Sequence, residues 1–486
     1  LYSSAASDVY KRQPSGNVIK LRRGGKKIGL QIIVLRCRIL KPKSNPMFDA
    51  NVKLIEELKE FVSVVSTEPE FLNHFRFSER DFIRTRKLPF DRLVFLIAGL
   101  CKKTLSVEIE GFWDKLSQAS SCSVSAFVQQ RTKLNPRFFG AWNSFLCDRW
   151  YALNEGKIRR WKGYRVVAAD GSNAALVNQH ELINYFGGQR NQQCFFTVAK
   201  TFYYYDVLNE LVLLPWIGPY RKGELSIVYE MTERTQEDML LIYDRCFSNY
   251  KVIALHLWQE RERKFVIRAK DNLRIIKNFI SSQKTSAVVE WPPSAIAIES
   301  LKQSGYLINS HSTVRVRLVR VELNGVVEVL ITNLWEEDGH PVDQFKELYF
   351  MRWRIETNIA VQKNIMQLES FSGLSVTAVK QDFYATVFMA NLHAILIKDA
   401  QRTTDATCSR RKYRMKINKN KSFGKLKNSF VCLFLTQQPA IILQLLHDFF
   451  RKELIPIRNG RTFKRERKNP QSKSKFKTYT NFKPAY

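Results

Sequence analysis

The chain has 486 residues, 45% of them hydrophobic and 25% charged, with a formal net charge of +33. That is enough apolar matter for buried cores, and length for two to four domains. A membrane-spanning helix is not expected, because no run of roughly 20 apolar residues occurs. The nearest, Val431 to Phe450, is broken by Gln437-Gln438-Pro439 and His447-Asp448.

The charge is uneven. Residues 1–46 carry 11 basic residues and one acid, and residues 409–486 carry 21 basic residues and three acids. The stretch between them is close to balanced. A basic excess of this kind points to a polyanion, with DNA or RNA the default. The eight cysteines are dispersed without a Cys-x2-Cys pair, which disfavours zinc and redox motifs. With no export signal they read as buried thiols of a reducing cytoplasm.

The first methionine is Met47, and Leu1 to Gln13 reads like translated adapter sequence. Residues 1–46 are therefore expected to be a non-native leader, outside the fold; the other reading is a basic arm that touches DNA. Residues 47–160 read as a helical N-terminal DNA-binding domain. Leu54, Ile55, Leu58, Phe61, Val62 and Val65 recur at helical period. Asp91 is expected to cap a helix through Leu100, and Asn135-Pro136 to open another. Between them Leu105–Lys115 and Ser123–Leu134 form either a helix-turn-helix, with Gln129, Gln130, Arg131 and Lys133 facing DNA, or a plain helical bundle.

Residues 161–270 alternate strand and helix signals. Tyr164 to Asp170-Gly171 is a short apolar run ending in Asp-Gly, read as a buried strand with a carboxylate at its end and then a turn. Cys194–Tyr205 and Leu211–Ile217 read as a hairpin, followed by a helix around Glu224–Thr232. Met239 to Asp244 is a second apolar run ending in an acid. Strand ends of this type place ligand groups in open α/β sheets. In residues 271–344, read as a β-rich insertion, Asn324-Gly325 between two apolar runs is a hairpin signal. Residues 345–401 return to the core, with a helix over 376–401. Residues 402–486 read as a basic helical region and tail.

The helix from Tyr349 to Lys363 carries Tyr349, Arg352, Glu356 and Lys363 within roughly a 60° arc at 100° per residue. Ile355, Ile359 and Met366 form an apolar stripe beside them. A helical glutamate joined to two strand-end aspartates makes a set of three oxygen donors suited to hard divalent cations.

On these residues the chain resembles the DDE transposases of bacterial insertion sequences, in the subgroup with the Tyr-x2-Arg-x3-Glu-x6-Lys signature. Tyr349, Arg352, Glu356 and Lys363 match the four signature positions, and Asp170 and Asp244 resemble the first two acids of the triad. Cys246 departs from the family, which more often has glycine there. The resemblance implies an α/β fold with a ribonuclease-H-like catalytic core. It also implies Asp170, Asp244 and Glu356 as catalytic and metal-binding residues, and two Mg2+ ions for which Mn2+ can substitute. Tyr349, Arg352 and Lys363 would bind DNA phosphates. The activity implied is cut-and-paste transposition on double-stranded DNA, at terminal inverted repeats and a target, by a homodimer in a bacterial, nucleoid-associated setting. A hairpinned end is the subgroup's intermediate. Trp291 and Trp335 are candidates for stacking a flipped base, or packing residues. Two alternatives are a decayed copy that only binds DNA and another ribonuclease-H-like nuclease.

Overall fold

The computed structural model describes residues 46–84, 86–117, 121–192, 194–323, 325–408 and 411–458. Residues 1–45, expected to belong to a leader, and the basic stretch after Arg458 lie outside the described residues. Two compact units divide the chain. Residues 157–364 form one, and the segments on either side of it form the other. This division differs from the expected one, which gave the helix over 376–401 to the catalytic core.

The helical unit begins with α1 (Pro46–Thr67), α2 (Pro69–Phe75), α3 (Phe90–Gly99), α4 (Leu105–Lys115), α5 (Val124–Arg131) and α6 (Arg137–Leu153). The periodic set on α1 is buried at Leu54, Ile55, Leu58, Val62 and Val65. Pro89, not Asp91, occupies the N-cap of α3. Asp91 lies in the first turn, where a negative charge suits the exposed backbone N–H groups.

The sheet unit follows. Its elements are β1 (Arg165–Ala175), α7 (His180–Phe186), β2 (Gly188–Arg190), β3 (Phe195–Asp206), β4 (Leu211–Pro219), α8 (Glu224–Met231), β5 (Met239–Tyr243), α9 (Tyr250–Leu257) and β6 (Lys264–Arg268). After them come α10 (Arg274–Ser281), β7 (Ser286–Trp291), α11 (Ala295–Lys302), β8 (Val314–Leu323), β9 (Val326–Thr332), α12 (Gln344–Phe350) and α13 (Arg354–Asn364).

One mixed sheet of nine strands carries this unit, in the order β2-β3-β1-β5-β6-β9-β8-β7, with β4 also paired to β3. β1, β5 and β6 are parallel and central. Val166 to Ala169 and all of β5 are buried, as strands covered on both faces must be. β3 and β4 form the expected antiparallel hairpin.

One expectation is corrected here. β1 does not turn at Asp170-Gly171: its pairing with β5 ends at Ala168, but its pairing with β3 runs on to Ala175. The long hairpin partner satisfies the backbone past Gly171, and this outweighs the local turn preference of Asp-Gly. The residues read as a β-rich insertion carry β7, β8 and β9. β9 pairs antiparallel with β6, so β7, β8 and β9 extend the same sheet.

The chain then returns to the helical unit with α14 (Val376–Thr407), the short strand β10 (Met415–Ile417), α15 (Lys419–Leu435), α16 (Pro439–Lys452) and β11 (Leu454–Pro456), which pairs with β10. Ser375 caps α14 by accepting from the Ala378 N–H. This helix lies against α6, where Trp142 stacks on Phe388 at 3.8 Å between ring centroids.

The helix-turn-helix reading fails for two of its four residues. Arg131 is 2% exposed and donates to Gln381, Ser372, the Ala378 carbonyl and Asp382. Gln130 is buried and donates to the Leu88 carbonyl. Gln129 is exposed and Lys133 half-buried. α5 is thus a packed helix of a bundle along the side that carries Gln130 and Arg131. Among the described residues no helix is long and apolar enough to cross a membrane.

Candidate active site at the centre of the sheet

Register brings the two aspartates together. The last paired residues of β1 and β5 are Ala168 and Ile242. Asp170 and Asp244 each stand two residues further on, side by side at the carboxyl edge of the parallel pair. The period of two along a strand gives them the same face.

Each is fixed by its own backbone. Asp170 Oδ1 accepts from the Gly171 N–H at 2.8 Å. Asp244 Oδ1 accepts from the Cys246 N–H at 2.7 Å, which starts a short 3-10 turn and ends β5. Burial pushes the Asp170 carboxyl up to about 6, Arg352 and the Gly171 N–H oppose this, and the charges of Asp244 and Glu224 add to it. Cys246 is exposed at the rim; burial, then Asp244 and Glu224, push its thiol up, which makes it a weak nucleophile.

The signature residues arrive on three helical pieces. Tyr349 lies in the last turn of α12, Arg352 sits in a 3-10 turn over Met351–Trp353, and Glu356 lies in the first turn of α13. The single helix expected from the sequence is tightened at that turn while its backbone stays right-handed. α13 then runs along β1: Arg352 meets Asp170 at one end, and Lys363 Nζ donates to the Asn173 carbonyl at the other.

Arg352 is the hub. Its Nη2 donates to Glu356 Oε1 at 2.9 Å, and its Nη1 lies 3.8 Å from Asp170 Oδ2. Arg352 is 7% exposed, and its guanidinium lies near Trp353 and Tyr349. Its Nε has no partner. The Tyr349 hydroxyl is also buried without a partner, and burial pushes it up to about 12.

Glu224 escaped the sequence reading. It opens α8, and a Cβ at Gly171 would lie only 2.2 Å from its Oε1. The carboxylate is therefore laid on the backbone beside Asp170. A glutamate in the first turn of a helix is common, so nothing local marks it; only the packing of α8 against β1 does.

The base-stacking candidates separate. Trp291 is 9% exposed, a packing residue of β7. Trp335 is half-buried, with the Arg315 guanidinium 5.0 Å from its ring centroid.

All-oxygen donors crowded as like charges suit a hard divalent cation in kind. Among the described residues, however, no three acidic, histidine or cysteine side chains converge on one metal position. The gap between Asp170 and Glu356 holds the Arg352 guanidinium, which supplies the countercharge.

Residues 161–392 match the family model described as "Transposase DDE domain". This stretch of the chain is a transposase DDE domain. Asp170, Asp244 and the signature helix all fall within the DDE domain. Comparison with curated proteins gives no match. A solved structure, the cryo-EM structure of piggyBac transposase synaptic complex with hairpin DNA, is similar over 92% of each chain, at 11% identity and a TM-score of 0.40. The assignment of the DDE domain rests on the family match.

Proposed function

We propose that the chain is a transposase that binds the ends of an insertion sequence and cleaves and transfers DNA strands there in a divalent-cation-dependent reaction. The carrying observation is the register of β1 and β5, which sets Asp170 and Asp244 on one edge and one face within a DDE domain. The strand order β4-β3-β1-β5-β6 supports a ribonuclease-H-like core. The charges and the signature on α12 and α13 support the subgroup reading.

Asp170, Asp244 and Glu356 would hold Mg2+ or Mn2+, as two ions. When bound, these ions would polarise the attacking oxygen and stabilise the leaving one in an in-line displacement at phosphorus. The residues of the chain do the rest. Arg352 and Lys363 exchange their present partners for backbone phosphates, and Tyr349 lends its unpartnered hydroxyl. A homodimer would bring two terminal inverted repeats and a target duplex together.

The test is cleavage of end-containing DNA by the full chain with Mg2+. Asp170→Asn, Asp244→Asn and Glu356→Gln should each lower cleavage at least about a hundredfold, given shared ligands, while end binding persists. Near wild-type cleavage by any one removes that residue from the triad. Binding without cleavage by the unaltered chain favours a decayed copy.

A further inference from the structure

We infer that β10 and the first half of α15 form a surface that binds the phosphate backbone of duplex DNA, with Lys412, Lys416, Lys421 and Lys425 among its cations. The surface belongs to the helical unit and uses none of the DDE carboxylates. It rests on the transposase reading for the choice of duplex DNA as the polyanion.

Four observations carry it. First, residues 411–427 hold eight basic residues and no acid. All but Lys427 are exposed; that one is buried and donates to the Ala98 and Leu100 carbonyls. Asp405 pairs with Arg414 at 3.1 Å and Glu453 with Lys421 at 2.7 Å. Lys412, Lys416 and Lys425 have no acidic partner among the described residues. Second, the cations stand on a fixed frame. Gln401 of α14 donates to the Met415 carbonyl and accepts from the Ile417 N–H, each at 2.9 Å. β11 pairs along β10, with Lys416 opposite Ile455. Phe423, Leu426 and Phe430 anchor the inner side of α15.

Third, the charges work against the helix that carries them. Lys419 and Lys421 sit in the first turn of α15 without an acid, where the helix dipole disfavours cations. Lys421 and Lys425 are like charges four residues apart, a destabilising pair. A polyanion reverses both effects. Fourth, Gly424 stands on the same exposed side, next to Lys425. A Cβ there would meet nothing within 4 Å, so packing does not require glycine, and glycine weakens a helix interior. The bare position lets a phosphate backbone approach the helix closely.

A plainer role is a solvated face that keeps the protein in solution. Such faces mix both signs, and this one does not. From Lys416 to Lys425 the chain spans roughly 15 Å, the axial length of about four successive phosphates of one strand. An anionic membrane would be met by apolar side chains beside the lysines. The exposed side of α15 offers Asn420, Gly424 and Asn428 instead.

The experiment measures affinity of the full chain for a short duplex of unrelated sequence, by fluorescence anisotropy across a salt series without divalent cation. Thermal melting shows that each variant is folded. One variant combines Lys412→Gln, Lys416→Gln and Lys425→Gln. A charge-matched control combines Lys53→Gln, Lys277→Gln and Lys302→Gln, three exposed lysines of other elements. The first should weaken binding at least about tenfold at matched salt and lower the slope of log affinity against log salt by about two to three. The control should change the slope by less than about one. Gly424→Leu should weaken binding severalfold with the slope and the melting temperature kept. Equal effects of the two triple variants overturn the proposal, and so does unchanged binding by Gly424→Leu. It is also overturned if the first triple variant loses binding to phosphatidylserine vesicles and keeps binding to DNA. In each of these cases the transposase reading stands. If the unaltered chain binds no duplex at all, that reading falls as well.

Discussion

Arg352 shows how one residue can serve two states of a site. In the structure its guanidinium bridges Asp170 and Glu356, so the acids are neutralised from within. A buried charge that loses its partners is costly, so Arg352 leaves the acids only when phosphate replaces them. Arg352→Gln should therefore tighten Mn2+ binding by the DNA-free protein severalfold, since a competing positive charge is gone. The same change should weaken binding to end DNA and lower the slope of log affinity against log salt by about one unit. Unchanged Mn2+ affinity together with an unchanged salt slope would reduce Arg352 to a packing residue. Lys363 is engaged in a similar way, donating to the Asn173 carbonyl.

At the scale of elements, α5 and α14 are joined by a buried ion pair, Arg131 with Asp382 at 3.0 Å. Burial works against the Asp382 carboxylate, yet Arg131, Lys102 and the Ser372 hydrogen bonds hold its pKa below the ordinary value of 3.8. A depressed folded-state pKa contributes stability that is present above the unfolded value and lost as the pH falls through the folded one. Acid unfolding of the helical unit should thus steepen below about pH 4 and lose that steepness in an Arg131→Met, Asp382→Leu double variant. Arg131→Met alone should cost about 3–5 kcal/mol, because it strands a buried carboxylate. Denaturant titration followed by circular dichroism measures both, and a cost under about 1 kcal/mol would contradict the pairing. The same pair shows what the sequence could not reveal. Arg131 looks like a DNA-facing residue on a short polar helix, because its partners lie some 250 positions away. The β3–β4 and β8–β9 hairpins were legible because alternation and turn residues are local signals. So were the apolar runs leading into Asp170 and Asp244 and the signature spacing. The continuation of β1 past Gly171, the 3-10 turn at Arg352 and the approach of Glu224 to Asp170 depend on packing between elements, which no local pattern encodes.

For the whole molecule, the sheet unit is continuous in sequence and the helical unit is split around it. All nine strands of the large sheet lie within residues 157–364. Expressed alone, that segment should keep its sheet and unfold cooperatively. Residues 46–156 alone should not, because Trp142 of α6 would lose Phe388 of α14 and Arg131 would lose Asp382. Thermal melts of the two fragments decide it; a cooperative transition from 46–156 alone would show that α1 to α6 are self-sufficient.

The split helical unit also imposes a schedule on synthesis. α6 leaves the ribosome with Trp142 and its apolar neighbours ready to pack, but the surface they need, around Phe388, has yet to be translated. At typical rates of synthesis of about 5–20 residues per second, the wait is roughly 10–50 s. During that interval the nascent N-terminal helices wait with that apolar face uncovered while the sheet unit emerges. The apolar face of α6 is therefore completed only when the second half of the chain arrives.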